Sequence, residues 1–257
     1  QYNLVKGSFW DPSAVTLGRD VQDWCFRTSE AERKAMLCAV SLSLALGGLV
    51  HENMVQRFIN EISVSDIKIL YGLQAVMENV HQEAYRIVMS VLAKNDSRLP
   101  TLLCPSAEYT ASNAKIEWTS RWYRDRSSSL ADRLVAFACV ESIFTATIIA
   151  TVLWIKRSNK LPGLCALFDL VARDKDRSTA SAWSVLRWLG ITPLEQNVRR
   201  IISEAVSLEI AFANDSIYSH ALGLDSCQLA KHVQFKANSI LAHMGLGPTY
   251  GSAYPVS

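Results

Sequence analysis

Met77-Glu78-Asn79-Val80-His81-Gln82-Glu83-Ala84-Tyr85 is the stretch on which the reading of this chain turns. At 3.6 residues per turn, Glu78, His81 and Tyr85 stand at i, i+3 and i+7, so they leave one face of a helix that is otherwise apolar. A Glu-x-x-His on a core-facing helix is half of the four-helix carboxylate site that holds two metal ions; two such helices are completed by one carboxylate from each of two others. Taken alone, the pattern more often marks a solvated polar face. Glu141 shifts that balance. It is the single charge in the run Leu134 to Ile155, and a carboxylate centred in an apolar helix must be paired, protonated or metal-bound.

Outward from that stretch, 3.6-residue apolar spacing recurs over Glu30 to Glu61, Ser65 to Ala93, Lys115 to Tyr123, Leu130 to Lys156, Leu164 to Leu189, Pro193 to Ala213 and Ser226 to Met244. No segment alternates for long with the period of a strand. Turn chemistry predicts breaks at Gly47-Gly48, Leu99-Pro100, Cys104-Pro105, Leu161-Pro162-Gly163, Gly190 and Gly223, and the longest irregular piece, Asp96 to Ser112, reads as a crossover. The expectation is an all-α protein, a single helical domain over residues 1–257, with central helices around Ile67 to Val91 and Leu134 to Lys156.

Leu134 to Ile155 is long enough to span a bilayer, but Glu141 with Thr145, Thr147 and Thr151 favours a buried core helix, so no membrane span is expected. Hydrophobic residues make up 49% of the sequence, enough for a large core. Lys and Arg number 26 against 24 Asp and Glu, a balance that argues against nucleic acid as a partner. The six cysteines lack metal-ligand spacing and read as reduced, mostly buried thiols of an intracellular protein, cytoplasmic or organellar.

A set of words follows in order along the sequence: Ser8-Phe9-Trp10, Asp20-Val21-Gln22-Asp23-Trp24, Glu52-Asn53-Met54-Val55-Gln56-Arg57-Phe58, and Tyr71-Gly72-Leu73-Gln74 running into Met77 to His81. Arg133-Leu134-Val135-Ala136-Phe137-Ala138 precedes Glu141, and Leu161-Pro162-Gly163-Leu164 and Arg173-Asp174 come after it. In these words, from Gly7 to about Tyr254, the protein resembles the small, radical-generating subunit of class I ribonucleotide reductase. The resemblance implies a ferritin-like helical bundle that pairs as a dimer, a di-iron or manganese/iron cofactor, and a place in deoxyribonucleotide biosynthesis.

Carried over residue by residue, it implies that Glu78 and His81 are the first Glu-x-x-His, Glu141 the central carboxylate and Tyr85 the radical tyrosine. Trp10, Asp174 and His81 match the positions of long-range radical transfer. Three ligand positions are lost, to Gly47, Lys175 and Ser178. Glycine offers no donor, serine a weak neutral one, and Lys175 sets an ammonium where a carboxylate should neutralise two cations. Recruiting Asp176 instead requires about 100° of helix rotation. No metal and no cofactor are therefore expected, although Glu78, His81 and Glu141 could hold one ion against competition from Lys175. Lys175 is expected to lie between Glu78 and Glu141 in place of the missing cations; the alternative is a Lys175 that snorkels to solvent. Where the resemblance places aromatic neighbours of Tyr85, this sequence has Thr145 and Ile149. The resemblance also includes an N-terminal extension and a tail that docks on the large subunit, for which no match is expected in this sequence, whose last residues are Pro255-Val256-Ser257.

The leading functional expectation is a small-subunit-like pseudoenzyme with a degenerate di-metal site, a non-catalytic partner or scaffold in a homodimer or in a heterodimer with another small subunit. One alternative is a structural subunit of an unrelated large multi-subunit assembly. The other is a metal-free tyrosyl-radical subunit that uses a modified Tyr85.

Overall fold

The computed structural model describes Gly7, residues 9–92, Lys94, residues 110–214, Gly223 and residues 225–251. The helices are α1 (Gly18–Phe26), α2 (Glu30–Asn53, carried on through a π turn Met54–Phe58 and a last turn Ile59–Glu61), α3 (Ser65–Leu92), α4 (Thr110–Arg124), α5 (Leu130–Ser142), α6 (Ala146–Arg157), α7 (Pro162–Leu189), α8 (Glu195–Ala213) and α9 (Ser226–His243). No strand occurs among the described residues, so the all-α reading holds. These residues group into two compact units, one drawn from Gln1–Tyr109 and Thr151–Asp174, the other from Thr110–Ala150 and Lys175–Ser257.

In the first unit α2 packs along α3. Ser29 and Glu32 start α2 with a reciprocal capping box, Glu32 N donating to Ser29 Oγ at 3.2 Å and Ser29 N to Glu32 Oε2 at 2.6 Å. Burial pushes the Glu32 carboxyl up, but Lys160, whose Nζ lies 2.8 Å away, and the Ser29 bonds outweigh it and leave the group below its usual range. The break predicted at Gly47-Gly48 does not occur, because α2 runs through both glycines. Two glycines cost a helix about 2 kcal/mol in propensity, which burial of Leu46, Val50 and Met54 against neighbouring helices offsets. The π turn frees backbone carbonyls, and Asn60 Nδ2 takes two of them, Val55 O at 3.2 Å and Gln56 O at 3.0 Å. Phe58, within that turn, then meets Tyr71 of α3 with ring centroids 4.9 Å apart.

Periodicity does not mark α1, yet α1 fixes where α7 begins. The predicted break at Leu161-Pro162-Gly163 is present, with Asn159 and Leu161 at φ 52° and 50° and Pro162 as the first helical residue. Asp20 of α1 accepts from Gly163 N (2.9 Å) and Leu164 N (2.6 Å), and Asp23 accepts from Leu161 N (3.0 Å). Two buried carboxylates from another helix thus satisfy amides that a helix start leaves without intrahelical partners. Gly163 is required here, since a Cβ would overlap Thr16 O.

In the second unit α8 packs on α5, α4 and α9. The run Leu130 to Lys156, read as one helix, is broken at Ile143-Phe144-Thr145, which corrects the expectation. No glycine or proline causes the break. Lys115 of α4 donates from Nζ to Phe144 O at 2.9 Å, and Glu209 of α8 accepts from Thr147 N at 2.9 Å, so charged groups from two other helices take the carbonyl and amide that the break releases. α4 starts at Thr110 rather than Lys115, which removes Ser112 from the irregular crossover. The breaks at Leu99-Pro100 and Cys104-Pro105 lie outside the described residues. Gly190 and Gly223 have φ of 65° and 64°, the left-handed turn conformation their sequence context predicts.

Glu30–Glu61 and Leu130–Arg157 are long and apolar enough to cross a membrane, but their most apolar windows are 61% and 83% buried within the protein. That burial is what core helices of a bundle show. Of the described cysteines, Cys38, Cys139 and Cys165 are buried free thiols, and Cys25 and Cys227 are exposed.

Candidate functional site

α3 buries Glu78, His81 and Tyr85 on one face, as their spacing predicts. Both ring nitrogens of His81 face carboxylates: Nδ1 lies 3.4 Å from Glu78 Oε2, and Nε2 3.1 Å from Asp174 Oδ2 on α7. Trp10 Nε1 donates to the same Asp174 oxygen at 2.8 Å, and its indole stacks on the imidazole with centroids 5.9 Å apart. Burial pushes the Asp174 carboxyl up, yet the hydrogen bonds from His81 and Trp10 prevail and hold it below its usual range. The structure thus brings Trp10, Asp174, His81 and Glu78 together as one connected relay within the first unit.

Gly47 sits beside this relay on α2. A Cβ at Gly47 would overlap Gln82 Nε2 and Glu78 Oε1, so the missing side chain is the space those two groups use. Gln82 holds its place by donating to Leu44 O at 3.2 Å. Sequence reasoning missed Gln82, and the signal that could have found it was the glycine: an absent side chain within a packed helix pair must be filled from the facing helix. Tyr85 is buried at 1% exposure with the Phe168 ring 5.8 Å away. That aromatic neighbour comes from α7, not from the positions of Thr145 and Ile149. The Thr145 hydroxyl is spent on Glu141 O and Ser142 O at 3.1 Å each.

In the second unit, Lys175 Nζ donates to Glu141 Oε1 at 2.8 Å, with the two side chains 10% and 1% exposed. Lys175 therefore does not snorkel to solvent. Asp176, the next residue, is 67% exposed at its side chain and faces Lys236 Nζ at 3.4 Å, so α7 has not rotated to bring it inward. Ser178 is half-buried, and its carbonyl accepts from Ser181 Oγ at 2.7 Å. A second internal cation, absent from the sequence reading, lies in the same unit. Lys115 and Glu209 pair at 2.6 Å with both side chains wholly buried, and the Phe212 ring centroid is 3.9 Å from the ammonium.

Residues 1–255 match the family model described as ribonucleotide reductase, small chain. The protein belongs to that family. Among curated small chains of ribonucleoside-diphosphate reductase, that of Neurospora crassa is 31% identical over 99% of this sequence, and that of Yaba-like disease virus 30% identical over 99%. This protein spans 62% of the length of the first and 78% of the second. Among solved structures, the Rnr4 homodimer of Saccharomyces cerevisiae superposes with a TM-score of 0.87 at 26% identity, covering 100% of this protein and 81% of that one. The dimanganese(II) form of NrdF from Streptococcus sanguinis reaches a TM-score of 0.84 at 16% identity over 98% of this protein and 89% of that one, which establishes the shared ferritin-like fold. Within this ribonucleotide reductase small chain, Glu78, His81, Glu141 and Tyr85 are all buried.

Proposed function

We propose that this small chain is a non-catalytic partner or scaffold subunit that keeps the ribonucleotide reductase fold and has given up its two-metal centre. The observation that carries the reading is the Lys175 ammonium seated 2.8 Å from Glu141. A metal pair needs anionic and imidazole donors turned toward one cavity. Here Gly47 supplies none and its space is taken by Gln82 and Glu78, Ser178 is a neutral hydroxyl, and Glu141 is neutralised by a lysine. Among the described residues, no group of three or more His, Cys, Asp or Glu is placed to hold a metal ion. The residues present do not fit a dinuclear centre.

An intact Trp10–Asp174–His81 relay with a buried Tyr85 supports a second reading, a metal-free tyrosyl-radical subunit. Electron paramagnetic resonance separates the two. After exposure to Fe(II) or Mn(II), reductant and oxygen, the protein is expected to give no tyrosyl signal. A signal present without added metal that disappears in Tyr85→Phe would decide for the metal-free radical subunit, and one that forms only with added metal would overturn both readings.

The partner proposed is a second small subunit, another copy of this protein or a relative. Val55 on α2 and Ile69 and Val76 on α3 are 40%, 50% and 50% exposed, apolar side chains that a partner surface would cover. Sedimentation at micromolar concentration is expected to show a species of twice 28.6 kDa. Val76→Glu should shift it to the monomer, and a parent that sediments only as monomer would remove the homodimer.

A further inference from the structure

The link between α4 and α5 reads Asp125-Arg126-Ser127-Ser128-Ser129, with Arg124 before it and Leu130 after it. Its three serines are not equivalent. Ser127 Oγ donates to Asp125 Oδ1 at 2.6 Å and Ser128 Oγ to Asp125 Oδ2, bonds that hold the Asp125 carboxyl down at about 2. Ser129 is exposed, and its Oγ accepts from Asp132 N at 3.0 Å, a bond that uses a lone pair and leaves the hydroxyl proton uncommitted. Arg124 and Arg126 are both exposed, and neither makes an ion pair among the described residues. Two unengaged guanidinium groups therefore stand five and three positions ahead of an accessible hydroxyl, with an apolar side chain directly behind it.

Guanidinium groups are read by carboxylates in bidentate, directional contact, a point charge much less so. A peptide groove lined with carboxylates, as in protein kinases that select basic substrates, fits this spacing. We propose that Ser129 is a phosphorylation site for a basic-directed serine kinase, with Arg124 and Arg126 as its recognition residues. In the step, Ser129 Oγ bonds to the γ-phosphorus of magnesium-bound ATP, the bond from that phosphorus to the bridging oxygen breaks, ADP leaves, and the hydroxyl proton passes to the kinase's base. No oxidant or reductant is involved. The product carries a charge of about −1.5 to −2 beside Asp132. Asp132 accepts from Asn197 Nδ2 at 3.1 and 3.3 Å, so modification sets a like charge against the tie between α5 and α8.

The site does not depend on the metal reading. The test incubates the folded, purified protein with magnesium ATP and the catalytic domain of a basic-directed serine kinase, and maps phosphate by mass spectrometry. Incorporation approaching one phosphate per molecule is expected on Ser129. It should fall by about tenfold or more in the Arg124→Ala/Arg126→Ala double variant, the loss that two charged contacts imply. It should vanish in Ser129→Asn, which keeps an N-cap acceptor and so the fold, and persist in Ser127→Ala/Ser128→Ala. No incorporation, phosphate on Ser127 or Ser128 instead, labelling only after heat denaturation, or a rate indifferent to the two arginines would each overturn the proposal.

Discussion

Lys115→Met is expected to destabilise the protein by about 4 kcal/mol, a larger effect than any other single substitution proposed for it. The ammonium is wholly buried, 2.6 Å from Glu209 and 2.9 Å from Phe144 O, with the Phe212 ring 3.9 Å from it. Removing it strands a buried carboxylate and returns an unsatisfied carbonyl to the break between α5 and α6. Glu209→Gln made on top of it should recover part of the loss, because the uncompensated charge is gone while Thr147 N keeps an amide acceptor. Urea titration of the parent, the single and the double variant measures all three. A loss under about 1 kcal/mol for Lys115→Met would mean that the break holds without its ion pair.

Lys175→Met should cost about 3 kcal/mol near neutral pH for the same physical reason, since Glu141 is 1% exposed at its side chain and Lys175 answers its charge. The informative variant is Lys175→Met with Glu141→Gln, which removes both charges. If the pair acts as a neutral plug, the double variant should lie close to the parent, with a coupling energy of about 2 kcal/mol across the cycle. Additive losses would show that Lys175 stabilises the fold through packing and not through charge.

The helical class was legible because apolar spacing is a property of each segment alone, and α3, α7 and α8 follow it closely. The errors came where a distant residue decides local structure. Gly47 and Gly48 carry the composition of a break, but α2 persists because Gln82 and Glu78 pack into the space at Gly47. Ile143-Phe144-Thr145 carries the composition of a helix, but Lys115 and Glu209 reach it from two other helices and stabilise its interruption. The buried site divides in the same way. Glu78, His81 and Tyr85 show in the sequence because one helix presents them, and Lys175 shows because a cation falls at an expected carboxylate. Lys115 and Glu209 stayed hidden although Glu209 is, like Glu141, a carboxylate on an apolar helix face. By the logic that singles out Glu141, Glu209 too required a partner, but only three-dimensional distance identifies Lys115 as that partner.

We propose that this ribonucleotide reductase small chain assembles no dinuclear metal centre, and its metal content after reconstitution decides the point. The purified protein is loaded anaerobically with excess Fe(II) or Mn(II), exposed to air, desalted and analysed by elemental mass spectrometry against protein concentration. Well under one tightly held ion per molecule is the predicted result, because Gly47 and Ser178 supply no anionic donor and Lys175 occupies Glu141. Two ions per molecule, lost together in Glu78→Ala and in Glu141→Ala, would show that the centre assembles despite Lys175.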